Sequence, residues 1–131
     1  ILLTALGVGG ATVFGSLMGF AVSDLDSLST NFVSGGDKLP LGDDFIECRY
    51  VPGHCPGSIC YVLHDEQQVI TGDALFNLSI GRTDLPGGDY DLLISKINAE
   101  LLVLGDDFQI LPGHGDDSTI GYELKYNSFL I

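Results

Sequence analysis

Val51-Pro52-Gly53-His54-Cys55-Pro56-Gly57-Ser58 holds one histidine in a loop between two glycines and two prolines. Two later turns answer it, Thr71-Gly72-Asp73-Ala74-Leu75-Phe76 and Leu111-Pro112-Gly113-His114-Gly115. In each of the three, a β-type apolar run ends in a glycine turn that presents a single His or Asp. Glycine permits the positive φ or close backbone approach such a turn needs, and proline fixes φ on the way in, so the side chain is pre-aimed. A sheet that presents ligands to one metal cluster is built this way.

Working outward, Gly35-Gly36-Asp37 and Gly42-Asp43-Asp44 are turn signals. The runs Lys38 to Leu41 and Phe45 to Tyr50 between and after them predict a hairpin. Ser58 to Leu63 and Gln68 to Thr71 predict a second hairpin around His64-Asp65-Glu66, which leaves His64 as an exposed turn residue. From Asp89 to Leu104 the period changes: Leu92, Leu93, Ile97, Leu101 and Leu104 recur at three- and four-residue spacing, the mark of a helix with one apolar face. Asp89 and Asp91 fall where the helix dipole favours anions, and Gly105 where a helix stops. Phe108 to Leu111 is then a strand delivering His114, and Ser118-Thr119 is placed to cap a short last helix through Tyr122 and Glu123. Nearer the start, Ile1 to Thr4 reads as the end of a buried strand, Thr12 to Gly15 as another short β run, and Asp24 to Asn31 as loop with a turn of helix. Strands followed by helix and strand predict an α/β sandwich.

The 131 residues are the size of one domain, and residues 1–131 are read as one. A formal charge of −13 repels a phosphate backbone, which argues against nucleic acid as a partner. No apolar run approaches the ~18 residues of a membrane span. Gly15 to Val22 comes nearest and is broken by glycines; no signal peptide is read there. Cys48, Cys55 and Cys60 are odd in number and close together, which is no disulfide framework, and a reducing compartment such as the cytoplasm is the economical inference. Cys48 and Cys60 lie in strand patterns and read as core.

Two imidazoles and one carboxylate suit zinc, iron or manganese better than calcium or magnesium, which ask for mostly oxygen ligands. His54, Asp73 and His114 could in principle make a single tetrahedral zinc site with water in the fourth position.

Four motifs in order, Pro52 to Ser58, Gly72 to Phe76, Gly81-Arg82-Thr83-Asp84-Leu85-Pro86-Gly87-Gly88-Asp89 and Pro112 to Gly115, resemble the metallo-β-lactamase superfamily and are most similar to its glyoxalase II-like branch of small hydrolases. The resemblance implies an αββα sandwich of two mixed sheets, of which this sequence lacks the first strands, with a site at one edge. It makes His54 the ligand histidine of a PGHTPGS loop, with Cys55 in the threonine's place as a small buried substitute. It makes Asp73 the carboxylate that bridges two metals and His114 the last histidine of the second metal site. The implied cofactor is a pair of zinc ions, with iron or manganese as alternatives. The implied reaction is hydrolysis of a thioester such as an acylglutathione by a metal-bound hydroxide. Arg82 falls near the cationic contact of glutathione-thioester hydrolases, a small-molecule role that competes with an internal pair to Asp84. Tyr122-Glu123 resembles a GYE segment that supports the site from beneath, and Ser128 replaces a proline, which should loosen that terminus.

The superfamily's HxHxDH segment is not in this sequence: Thr4 is followed by Ala5-Leu6-Gly7-Val8-Gly9-Gly10-Ala11. A break in the chain trace between Thr4 and Thr12 is therefore expected. Two other functions stay open, a mononuclear-iron sulfur dioxygenase in which His114 is no ligand, and a non-catalytic remnant that keeps the fold without tight metal binding.

Overall fold

The computed structural model describes residues 33–130 of the chain. The readings of Ile1 to Thr4, Thr12 to Gly15 and Asp24 to Asn31, and the expected break between Thr4 and Thr12, lie outside the described residues. The elements run β1 (Lys38–Leu41), β2 (Asp44–Tyr50), β3 (Ile59–Leu63), β4 (Gln68–Gly72), β5 (Leu75–Phe76), β6 (Ser79–Ile80), α1 (Tyr90–Lys96), a π turn (Ile97–Leu101), a 3₁₀ turn (Leu102–Leu104), β7 (Gln109–Pro112), β8 (Ser118–Thr119) and α2 (Ile120–Tyr126). Both predicted hairpins are present.

Six strands form one mixed sheet in the order β1-β2-β3-β4-β7-β8, and β5-β6 is a separate two-stranded ribbon. Among the described residues only β4 and β7 pair in parallel. The chain between them crosses over through α1, as a parallel neighbour requires. Near its end β4 advances two residues, Ile70 to Gly72, for one step of β7, Leu111 to Pro112. Such a bulge bends the strand and re-aims the next residue, Asp73.

Both faces of this sheet are apolar. Val62, Val69 and Ile110 pack with Leu93, Ile97 and Leu101 on the helix side, while Ile46, Cys48, Tyr61 and Ile70 form a second cluster. Register puts Cys48 opposite Tyr61 and Tyr61 opposite Ile70, so they make one row across three strands. That is why β3 reads Ile-Cys-Tyr-Val-Leu without polar alternation. The described residues thus supply one sheet and one helical layer of the predicted sandwich. Cys48 and Cys60 are core residues, and burial pushes their thiols up to about 11 and about 12.

The helix begins where the pattern predicts, and the structure adds that Asp89 is its N-cap, its carboxylate accepting the Leu92 N–H at 3.0 Å. It does not run to Leu104 as one α-helix. Leu93, Ile97 and Leu101 are all fully buried, and strict four-residue spacing drifts by about 40° per step on a 3.6-residue helix. Widening to i→i+5 bonding over Ile97–Leu101 keeps the buried row aligned. Leu92 faces solvent instead, and Ile94 packs on the core. His64 is also more engaged than an exposed turn residue: its Nε2 lies 3.0 Å from Glu47 Oε1, and its ring neighbours Phe45 and Phe108.

Candidate metal centre

The His54 loop is closed by Val51 N–H donating to Ser58 O at 3.0 Å and braced by Tyr50 OH on Pro56 O at 2.7 Å. Gly53 has φ +129°, and a Cβ there would sit 2.4 Å from Leu93 Cβ. Only glycine lets the loop lie this close to α1. The Gly53 carbonyl accepts the Asp89 N–H at 2.7 Å, so the helix start and the histidine loop share one anchor.

His54 Nδ1 lies 2.8 Å from the Arg82 carbonyl. A carbonyl can only accept, which assigns the proton to Nδ1 and leaves the Nε2 lone pair free in the neutral ring. That is the tautomer a metal needs from Nε2. The free nitrogen faces Asp73, 3.6 Å from Oδ2.

Asp73 comes directly after β4 in a turn fixed by Ala74 N–H on Thr71 O at 3.0 Å and Thr71 Oγ1 on Leu75 O at 2.7 Å. The parallel neighbour β7 ends beside it, and Gly113 N–H donates to Gly72 O at 2.7 Å. The two carboxyl ends therefore reach the same sheet edge, where α/β sheets place their ligands. His114 Nε2 comes within 2.9 Å of Asp73 Oδ1. Distance alone would make this a hydrogen bond, yet Oδ1 is buried and has no properly directed donor among the described residues. A hydrogen bond needs direction as well as distance, so the contact is a close approach of two ligand-type atoms. Phe76 lies against the largely exposed His114 ring at 5.2 Å between centroids.

Asp73 thus stands between two imidazoles and turns a different oxygen to each. Each side holds one imidazole nitrogen and one carboxylate oxygen. Among the described residues no set of three His, Cys, Asp or Glu side chains converges on a single metal position. The two imidazoles thus meet different oxygens of one carboxylate. A buried carboxylate oxygen without a donor is costly unless something else meets it.

The Arg82 side chain makes a two-pronged fork with Asp84, at 2.8 and 2.9 Å, both residues being exposed. The hydrogen-bonded guanidinium holds the Asp84 carboxyl down at about 2. What Arg82 gives the site is its main-chain carbonyl, which no residue pattern announces. Cys55 is half-buried rather than buried, its Sγ 2.9 Å from Ser58 Oγ. A groove of about 510 Å³ elsewhere, lined by Glu47, Arg49, Tyr50 and Glu100 among others, includes none of the three candidate ligands.

The sequence profile of the metallo-beta-lactamase superfamily matches residues 8–114. Hydroxyacylglutathione hydrolase GloC of Haemophilus influenzae is 42% identical over 113 residues, which is 85% of this chain and 53% of that protein. Among solved structures, the BLEG-1 B3 metallo-beta-lactamase superposes with a TM-score of 0.73 at 39% identity over 76% of this chain and 48% of its own. TTHA1623 in a di-iron-bound form gives 0.70 at 33% identity over 93% and 59%. The chain spans about half the length of the curated relatives it matches. A profile match over most of the chain, joined to a sheet edge that gathers the same three motifs, makes this chain a member of the metallo-beta-lactamase superfamily with that superfamily's fold.

Proposed function

We propose that this chain carries the His54, Asp73 and His114 part of a two-metal hydrolase site that cleaves a thioester such as an acylglutathione. The observation behind the proposal is Asp73, whose two oxygens face two imidazoles and whose buried Oδ1 has no donor among the described residues. Zinc is the first candidate ion, with iron or manganese as the alternatives; the similarity to a di-iron-bound structure supports keeping iron. When bound, such an ion supplies a Lewis acid for the carbonyl and an acidified water.

The chain's own residues supply the rest. The Nδ1 proton of His54 is held on the Arg82 carbonyl, so the ring presents Nε2 and cannot flip. Asp73 offers one oxygen to each side. Phe76 covers part of one face of His114 and limits where that ring can turn. Donors beyond these two per side come from elsewhere in the protein. The similarity to hydroxyacylglutathione hydrolase GloC supports the thioester class. The free state of Cys48, Cys55 and Cys60 is consistent with a cytoplasmic setting.

A mononuclear-iron sulfur dioxygenase is the competing reading, and it gives His114 no ligand role. The 2.9 Å approach of His114 to Asp73 speaks for the two-position site. The test is thiol release from S-lactoylglutathione and a panel of other thioesters by protein loaded with zinc, iron or manganese. Protein that retains its metal after dialysis yet releases no thiol from any of them defeats the proposal. Oxygen uptake on glutathione persulfide with one iron per chain would put the competitor in its place, and loss of all metal on dialysis would identify a non-catalytic remnant.

A further inference from the structure

The stretch from Asp73 to Arg82 touches all three candidate ligands. Asp73 stands at its entry, Phe76 on β5 lies against the His114 ring, and the Arg82 carbonyl just past β6 holds His54 Nδ1. Gly81 N–H donates to Ala74 O at 3.1 Å, closing this ribbon at its base. Its tip is strained. Leu78 has φ +61°, a left-handed conformation that strains a non-glycine residue, and its side chain is exposed, so packing does not explain it.

One fully buried carboxylate meets that tip. Glu123 Oε1 accepts the Leu78 N–H at 2.8 Å and Asn127 Nδ2 at 2.8 Å, and Oε2 accepts Ser118 Oγ at 2.5 Å. Asn127, also fully buried, donates from the same Nδ2 to Ser79 O at 3.2 Å and accepts the Phe129 N–H at 3.0 Å. The turn residue Leu78 and the first residue of β6, Ser79, are thus tied to α2 and the residue after it. The apolar contacts of a two-residue strand pair could not set such a tip by themselves.

We propose that Glu123, with Asn127, is a positioning residue for the metal centre: from the far side of the ribbon it fixes the left-handed tip, and so sets Phe76 against His114 and the Arg82 carbonyl on His54. Glu123 shares no hydrogen bond with either histidine, so its effect on them passes through the ribbon.

The test compares Glu123→Met, which keeps the length but removes both acceptors, with Glu123→Gln, whose oxygen still accepts from Leu78 and Asn127 while its amide donates to Ser118 Oγ. The readouts in the full chain are the ring ¹H–¹⁵N resonances of His54 and His114 without metal, zinc affinity by chelator competition, and thermal midpoint. In E123M the Nδ1-protonated signature of His54 is lost and the His114 resonances move. Zinc affinity falls about tenfold or more, the range for removing a group that orients a ligand. E123Q stays within twofold of wild type. Leu78→Gly, which is at ease with positive φ, restores the His54 signature when combined with E123M. If E123M does not fold, Asn127→Ala, which cuts the tie to Ser79 and leaves Glu123 in place, gives the same reading by the same resonances.

A folded E123M or N127A that lowers the thermal midpoint but leaves both histidines unmoved overturns the proposal. The zinc arm alone rests on the metal reading of His54 and His114. Should the wild type bind no zinc, that reading fails, and the metal-free histidine resonances still decide the role of Glu123.

Discussion

Gly81→Ala should disable the candidate centre through one backbone contact. A Cβ at Gly81 would stand 1.9 Å from the Asp73 carbonyl oxygen and 3.1 Å from His54 Cβ, while ordinary contact begins at 3.4 Å. The two chain segments must separate by about 1.5 Å, and neither obstacle is the far end of a flexible side chain. Overpacking of this kind costs about 1–3 kcal/mol, and a backbone obstacle puts it at the upper end, so we expect about 3 kcal/mol lost in denaturant unfolding. The displacement falls on Asp73 and His54 themselves. A shift of about 1 Å in a catalytic group is worth roughly a hundredfold in rate, so the proposed thioester hydrolysis should drop at least that far and zinc affinity with it. Gly115→Ala is the control. It adjoins His114 and has φ +76°, yet nothing lies within 4 Å of its would-be Cβ. It should cost only the left-handed penalty, about 1–2 kcal/mol, with zinc affinity nearly unchanged. Equal stability and zinc binding in G81A and wild type would refute the reasoning, as would equal losses in G81A and G115A.

Three further outcomes concern separate parts of the structure. Asp89→Ala removes the carboxylate that caps α1 and should cost about 1 kcal/mol in chemical unfolding, with Asp89→Ser retaining most of it. Arg82→Ala should raise the Asp84 carboxyl from about 2 toward its ordinary value near 4, a backbone hydrogen bond still holding it down in part, read by carboxyl NMR titration. The folded value is the depressed one, so the pair's contribution is present above about pH 4 and is lost as pH falls toward 2; both groups are exposed, and the effect on stability should be small. Of the three cysteines, burial raises the thiols of Cys48 and Cys60 to about 11 and about 12, so a disulfide reagent at neutral pH should titrate Cys55 rapidly and the other two only on unfolding.

The features legible in the sequence are those set by near neighbours. The hairpins, the start of the helix at Asp89, the stop at Gly105 and the three glycine turns each depend on a few adjacent residues, and each is in place. The convergence of His54, Asp73 and His114 was legible as well, because each ends a strand and strand ends share an edge. What escaped are contacts between distant segments through atoms that no residue type announces. His54 leans on a carbonyl that every residue possesses, so only the fold could identify Arg82 as its partner. The π turn was hidden because a four-residue repeat is compatible with α periodicity over two turns and departs from it over three. The turn at the C-terminal end is another such contact: the side chain of Asn127 closes it by accepting the Phe129 N–H.

The same distinction explains why the ribbon tip is held by a buried carboxylate and not by a leucine. An apolar side chain at position 123 would fill the space, yet dispersion has no direction and would not select the left-handed basin at Leu78. A carboxylate does select it, because leaving either oxygen unmet in a dry interior costs more than the strained tip. Such a network acts as a unit, so its members should not add. In a double-mutant cycle, Glu123→Met and Asn127→Ala should each destabilise the chain, and the double variant should fall short of their sum by about 0.5–3 kcal/mol, the range for residues in one hydrogen-bond network. Additivity within about 0.5 kcal/mol would mean that the two residues brace the tip separately, and not through the Glu123–Asn127 hydrogen bond that joins them in the structure.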